Sequence, residues 1–177
     1  MLWPLLNVIL ATSAAQVAGP AALSREGYLV CDYPDRRRKT CEGIGRLEHV
    51  GAAEFRSHSQ VLMDRALASR RLRGIVATMQ NRVTISVEGA VCGVTNLASY
   101  RSATFTRSGT ALSDAERAEL LEHLERRLGR IDGTETCWTS RGDGARTLVT
   151  VAGRPVQTNY TVLWIRPDQG YRILGQR

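Results

Sequence analysis

The residue types of nucleophilic hydrolysis meet at one place in the chain, where His58 lies between Ser57 and Ser59 with Asp64 close behind. A Ser-His-Asp system needs a hydroxyl nucleophile, an imidazole base and a carboxylate that orients the imidazole. Known triads gather their members from separate segments, and the chain holds no G-x-S-x-G elbow, so proximity in sequence counts against this reading. The other two histidines are His49 and His123. His123 stands beside Glu122 on the polar side of an expected helix and is read as solvated. Two carboxylates in a cleft would suit glycoside hydrolysis. Glu42, Glu48, Glu54 and Glu88 are available, but their spacing singles out no pair. Gly43 and Gly45 suggest a phosphate cradle, yet Glu48 occupies the third glycine position of G-x-G-x-x-G, and the segment Glu42 to Gly45 is read as a turn. Arg141-Gly142-Asp143 spells an integrin tripeptide, and its glycine-rich setting reads as a tight turn.

Recognition of anions is the other chemistry on offer. The formal charge is +7, and Lys39 is the only lysine among 24 cations. Arginine presents a planar fork to carboxylates and phosphates where lysine presents a point charge, although a GC-rich genome produces the same bias. The cations cluster at Arg36, Arg37, Arg38 and Lys39, at Arg70, Arg71 and Arg73, and at Arg126, Arg127 and Arg130. Grooves that bind nucleic acid without sequence preference interleave aromatics with such charges, and these clusters contain none, so nucleic acid is not expected as a partner. The first two clusters are the candidate anion-binding residues. Their expected partner is an anionic envelope component such as a lipid headgroup, lipopolysaccharide or acidic polysaccharide, or another envelope protein. Solvated charge that keeps the protein soluble is the plainer alternative.

The envelope enters through the N-terminus. Residues 1–15 form an uncharged apolar run ending in Ser13-Ala14-Ala15, the pattern of a signal peptide cleaved before Gln16. The run is shorter than the ~20 apolar residues of a membrane span. The expected mature protein is thus one domain, residues 16–177, periplasmic or secreted, with no transmembrane anchor left after cleavage. In an oxidising compartment an even number of cysteines reads as a disulfide framework. Of the three possible pairings, Cys31 with Cys41 and Cys92 with Cys137 is favoured, because the first two are near neighbours and the others flank the expected sheet and helix. The C-x9-C and C-x44-C spacings are not those of zinc sites, so neither a metal nor a cofactor is expected.

The elements that must position these groups are readable in part. Residues 46–72 are ambiguous and lean to extended structure. Val83 to Val87 alternates β-branched and hydroxyl side chains, which predicts a strand with Val83, Ile85 and Val87 facing the core, a turn at Glu88-Gly89 and an antiparallel return over Ala90 to Val94 with Cys92 on a buried strand. Ser113-Asp114-Ala115-Glu116 is a capping box. It opens a helix with an apolar stripe at Ala118, Leu121, Leu124 and Leu128, and Gly129 stands at the C′ position. The last forty residues suggest a three-stranded meander: Thr147 to Ala152, Val156 to Arg166, and Tyr171 to Leu174. The middle strand is apolar on both faces, which predicts a central strand covered by the helix.

C-D-Y-P-D-R-R-R-K-T-C-E-G-I-G near the mature N-terminus, V-C-G in the middle, a single cysteine after the helix, and W-I-R-P-D-Q-G-Y near the end resemble the layout of small exported bacterial proteins of no assigned function. That resemblance spans most of the mature chain, implies no activity and carries no catalytic residue across. The expectation is an α+β fold: an antiparallel sheet of five or more strands with one main amphipathic helix packed on it. The expected role is a non-catalytic binding or structural module of the bacterial envelope with affinity for anionic partners. Two alternatives stand beside it, a small hydrolase centred on His58 and an inhibitor that inserts the Cys31–Cys41 loop into an envelope enzyme's cleft.

Overall fold

The computed structural model describes residues 18–67, 71–140 and 143–175. Residues 1–15, expected to be a signal peptide, lie outside them, as do Arg70, Arg141 and Gly142. A short helix, α1 (Pro20–Arg25), precedes β1 (Leu29–Asp32), β2 (Thr40–Cys41), β3 (Gly43–His49) and β4 (Glu54–Leu62). One helical turn, α2 (Asp64–Leu67), leads to the long strand β5 (Ile75–Ile85) and to β6 (Val91–Val94). Then come α3 (Leu97–Arg101), β7 (Thr104–Arg107), β8 (Thr110–Ala111) and α4 (Asp114–Leu128). The chain closes with β9 (Glu135–Thr139), β10 (Asp143–Arg146), β11 (Leu148–Val151), β12 (Arg154–Val156), β13 (Thr161–Ile165) and β14 (Arg172–Ile173).

The main sheet is antiparallel and runs in the order β10-β13-β1-β3-β4-β5-β6-β9-β11-β12, with β7 and β8 paired beside the first half of β5. It fits the expectation of five or more antiparallel strands with one principal helix packed on the sheet, but the protein is mostly β where a more even α+β composition was expected. The sheet curls into a half-barrel. Its two margins are joined by backbone at Thr147, because β10 pairs with β13 and, one residue later, β11 pairs with β9. The last strands therefore do not form a meander. β12 pairs with β11, β13 pairs with β1 and β10, and β14 lies parallel to β2. β13 is flanked on both sides as its apolar faces demand, but α4 covers β5 and β7 instead of β13.

Alternation divides the residues. Val30, Leu47, Phe55, Ile85, Val91, Val162 and Trp164 form the inner cluster, and Ala21 and Leu23 of α1 pack against it. Further along the same face of β5, Ile75, Ala77 and Met79 meet Leu120 and Leu124 of α4. The outer face of β1 and β13 carries Cys31 and Ile165, covered by the returning Cys41 and Tyr171.

The capping box at Ser113 and Glu116 forms, and α4 begins at Asp114 as expected. Its buried stripe is Leu120 and Leu124 with Leu121 and Leu128 partly buried, whereas Ala118 is exposed. Gly129 is right-handed and starts a 3-10 turn (Gly129–Ile131), so it is not a left-handed C′ cap. β5 and β6 form the expected hairpin, but Val87 belongs to its loop and is 99% exposed. Ser86 and Ala90 close a three-residue loop in which Gly89 adopts φ +82°, a conformation that favours glycine. Cys92 is half-buried.

Candidate functional site

The predicted hydrolytic residues do not converge. His58 lies on the outer face of β4, where its Nε2 is 3.2 Å from Glu48 Oε2. Ser57 and Ser59, its neighbours along the strand, project to the opposite face. Asp64 is engaged elsewhere, accepting from the Gly74 amide at 2.7 Å. His123 is half-buried, not solvated, with Nε2 2.8 Å from the Leu67 carbonyl. Glu135 sits with Cys92 and Cys137, but those two sulfurs are bonded to each other and are not free to ligate a metal.

The cations fare differently. Antiparallel pairing puts the end of β1, the start of β3, the end of β4 and the start of β5 at one end of the half-barrel, as Asp32↔Gly43, Gly43↔Val61 and Leu62↔Val76 require. The connections 33–42 and 63–74 both leave the sheet there, and they carry the first two cationic clusters. β14 ties them together, since Ile173 pairs with Cys41 and packs on Leu62 and Val76. Arg36, Arg37, Arg38, Lys39, Arg71 and Arg73 are all exposed.

The first loop is held from beneath. The Cys31–Cys41 disulfide is buried, Asp35 and Thr40 exchange backbone hydrogen bonds, and Asp35 Oδ1 accepts from the Arg37 and Arg38 amides at 3.0 Å each. The Lys39 carbonyl accepts from the Arg172 amide. With the backbone anchored this way, the loop presents its side chains at little further cost in ordering.

Below this cationic rim lies a group that the sequence reading missed. Asp32 shares the inner face with Val30, and the Tyr160 hydroxyl donates to its Oδ1 at 2.5 Å. The other carboxylate oxygen lies over Gly43, so close that a Cβ there would fall 2.4 Å from it. Gly43 and Gly45 are consequently strand residues and not a turn, and Gly43 leaves room for a carboxylate. Burial raises the Asp32 pKa to about 6; the Tyr160 hydrogen bond opposes the shift and the Glu42 charge adds to it. The same burial, with the Asp32 charge, pushes the Tyr160 phenol well above its ordinary value. Glu42 is in turn gripped by both nitrogens of the Arg65 fork, one of them at 2.9 Å, and the Arg65 guanidinium lies 4.0 Å over the Tyr33 ring.

From Tyr33 a column of rings runs inward: Tyr33 to Tyr160 at 5.4 Å, Tyr160 to Trp138 at 6.4 Å, and Trp138 to Trp164 at 6.4 Å. Asp32 and Tyr160 are far apart in sequence, and their only early sign is an acid at an inward position of V-C-D.

No protein-family model, no curated protein and no solved structure matches this chain. The two disulfides are compatible with an oxidising, exported environment. Among the described residues no helix is long and apolar enough to cross a membrane.

Proposed function

We propose that the protein is an exported, disulfide-stapled, non-catalytic binding module of the bacterial envelope whose cationic end engages anionic lipid headgroups. The observation that carries this reading is the emergence of Arg36–Lys39 and Arg71–Arg73, distant in sequence, from one end of the half-barrel with β14 between them. A surface of this kind gains on the order of 1 kcal/mol per basic residue near an anionic membrane, and salt screens that gain. Export, the signal peptide and a periplasmic or secreted location belong to the same proposal. They are supported by the apolar run at residues 1–15 and by two disulfides.

Sedimentation with vesicles tests it. Vesicles rich in phosphatidylglycerol should retain the protein at low salt and release it at 0.5 M salt, while phosphatidylcholine vesicles should not retain it. Replacing Arg36, Arg37, Arg38 and Lys39 with Gln should weaken retention by about tenfold or more. Equal retention of the substituted protein would overturn the reading. A second reading is favoured by the anchoring of Arg37 and Arg38 on Asp35: a stapled loop of fixed shape also suits insertion into an acidic cleft of an envelope enzyme. Capture of one envelope enzyme by the wild-type loop, unaffected by salt, would support that reading instead.

A further inference from the structure

The main sheet has a notch beside its longest strand. β7 pairs with β5 from Ile75 to Thr78, and β6 pairs with it from Val83 to Ile85. Residues 79–82 therefore have no strand beside them on the side away from β4, and α3, which links β6 to β7, lies against β5 instead. The hollow there has a volume of about 450 Å³, within the range of small-ligand sites. It is lined by the arginines Arg56 and Arg82, the carboxamide residues Gln80, Asn81 and Asn96, the hydroxyl residue Ser99 and the apolar Val94. Among the described residues neither an acid nor an aromatic lines it.

Arg56 and Arg82 are direct partners across β4 and β5, and like charges so placed repel each other. Arg56 has a loose, exposed contact with Glu48, whose Oε2 lies 4.0 Å from its Nη1, and a contact of that kind is worth little in water. The side chains of Arg82, Gln80 and Asn81 make no ion pair or hydrogen bond among the described residues. Asn96 Oδ1 accepts from the Ala98 amide at 2.8 Å, which leaves the Asn96 NH2 group to donate. A pair of neighbouring guanidiniums suits one planar carboxylate, and carboxamides, which both donate and accept, suit hydroxyls. With one apolar residue in the lining, the hollow offers no cover to a hydrocarbon chain. Glu54 and Glu135 line a smaller adjoining hollow that Arg82 and Val94 also border. Together with Glu48 they offset the two arginines at longer range, so a membrane surface or a long polyanion gains little here and the attraction is local.

We propose that this hollow binds a small hydroxylated carboxylate of the uronic-acid class, with Arg56 and Arg82 on its carboxylate and the carboxamides of Gln80, Asn81 and Asn96 on its hydroxyls. The site lies apart from the cationic loops, and neither reading falls with the other. The experiment titrates the full chain with glucuronate, glucose and acetate at constant ionic strength while following backbone and carboxamide N–H resonances by NMR. Glucuronate should shift the Gln80, Asn81 and Asn96 carboxamide signals and saturate, and glucose and acetate should each bind about tenfold more weakly or less. Arg82→Gln, at an exposed position, should lower glucuronate affinity about tenfold or more, as the loss of a hydrogen bond to a charged group requires, and Gln80→Ala should lower it about two- to tenfold. Replacing Arg36, Arg37, Arg38 and Lys39 with Gln should leave it unchanged. The absence of a saturable shift in these carboxamides up to the solubility of glucuronate would overturn the proposal. So would acetate binding as tightly as glucuronate, or a glucuronate affinity unchanged in Arg82→Gln.

Discussion

The Asp32 end and the α1 end of the half-barrel share strands and are linked by one column of rings, yet they treat buried polarity in opposite ways. At the Asp32 end the carboxylate and the Tyr160 hydroxyl satisfy each other, Gly43 is shaped to the carboxylate, and Glu42 and Arg65 close the surroundings with a second pair. The cations that could meet a ligand stand outside on anchored loops, and the one buried polar side-chain atom beside this pair that lacks a partner among the described residues is Thr147 Oγ1. At the α1 end the buried Trp164 Nε1 lacks an acceptor among the described residues, and an apolar cavity with an acidic rim lies alongside. The difference shows that a perturbed carboxyl is not by itself the sign of a binding site. Asp32 is costly but hydrogen-bonded, whereas the Trp164 donor has no partner among the described residues.

Breaking the staples sets the scale. The Cys92–Cys137 bridge spans 45 residues and joins β6 to β9, close to the α1 end. Replacing both cysteines with Ala should lower unfolding free energy by about 4 kcal/mol, on the chain-entropy account of disulfides. Denaturant titration of the oxidised wild type against the variant checks this, and in native buffer the contrast between the ends should survive.

The Asp32 charge comes next. Its folded pKa of about 6 lies above the unfolded value of 3.8, so its favourable contribution is complete below pH ~4 and is lost as pH rises through about 6. Asp32→Asn keeps an acceptor for Tyr160 and removes the charge. The variant should match the wild type near pH 4 and exceed it by about 2–3 kcal/mol at pH 8. Urea titrations across that range measure the gap, and a gap that closes towards pH 8 would mean that the carboxylate is stabilised by its neighbours.

Gly43→Ala tests the same end by volume. A methyl group 2.4 Å from the Asp32 carboxylate should cost about 1–3 kcal/mol. Most of that loss should disappear in the background of Asp32→Ala, giving a positive coupling in a double-mutant cycle. The smallest expected effect is a control. Ser113→Ala removes the capping box of α4, touches neither end, and should cost about 1 kcal/mol in thermal or chemical unfolding.

Local rules made part of this architecture legible. The capping box located α4, the spacing of the cysteines favoured the bridges that form, and alternation placed Val162 and Trp164 on one face of β13 with Leu163 and Ile165 on the other. Where two local rules competed, the reading slipped by a residue or two. Val87 continues the alternation of β5, but the three-residue loop that Gly89 permits begins there. Gly43 and Gly45 read as turn residues because glycine usually marks a turn, whereas here the glycine at 43 clears space for a side chain on the neighbouring strand. Long-range partners left no local mark. The pairing of β10 with β13, the separation of β13 from β11 and the Asp32–Tyr160 bond all depend on the curl of the whole sheet. The cationic clusters were visible as clusters, but their convergence on one end came only from strand pairing.

The most direct test of the contrast between the ends compares two variants on one surface. Binding to phosphatidylglycerol vesicles at low salt should fall by about tenfold or more when Arg36, Arg37, Arg38 and Lys39 become Gln, and should be unchanged by Val87→Asp at the α1 end. Equal binding by the wild type and the loop variant, or a comparable loss from Val87→Asp, would contradict the account.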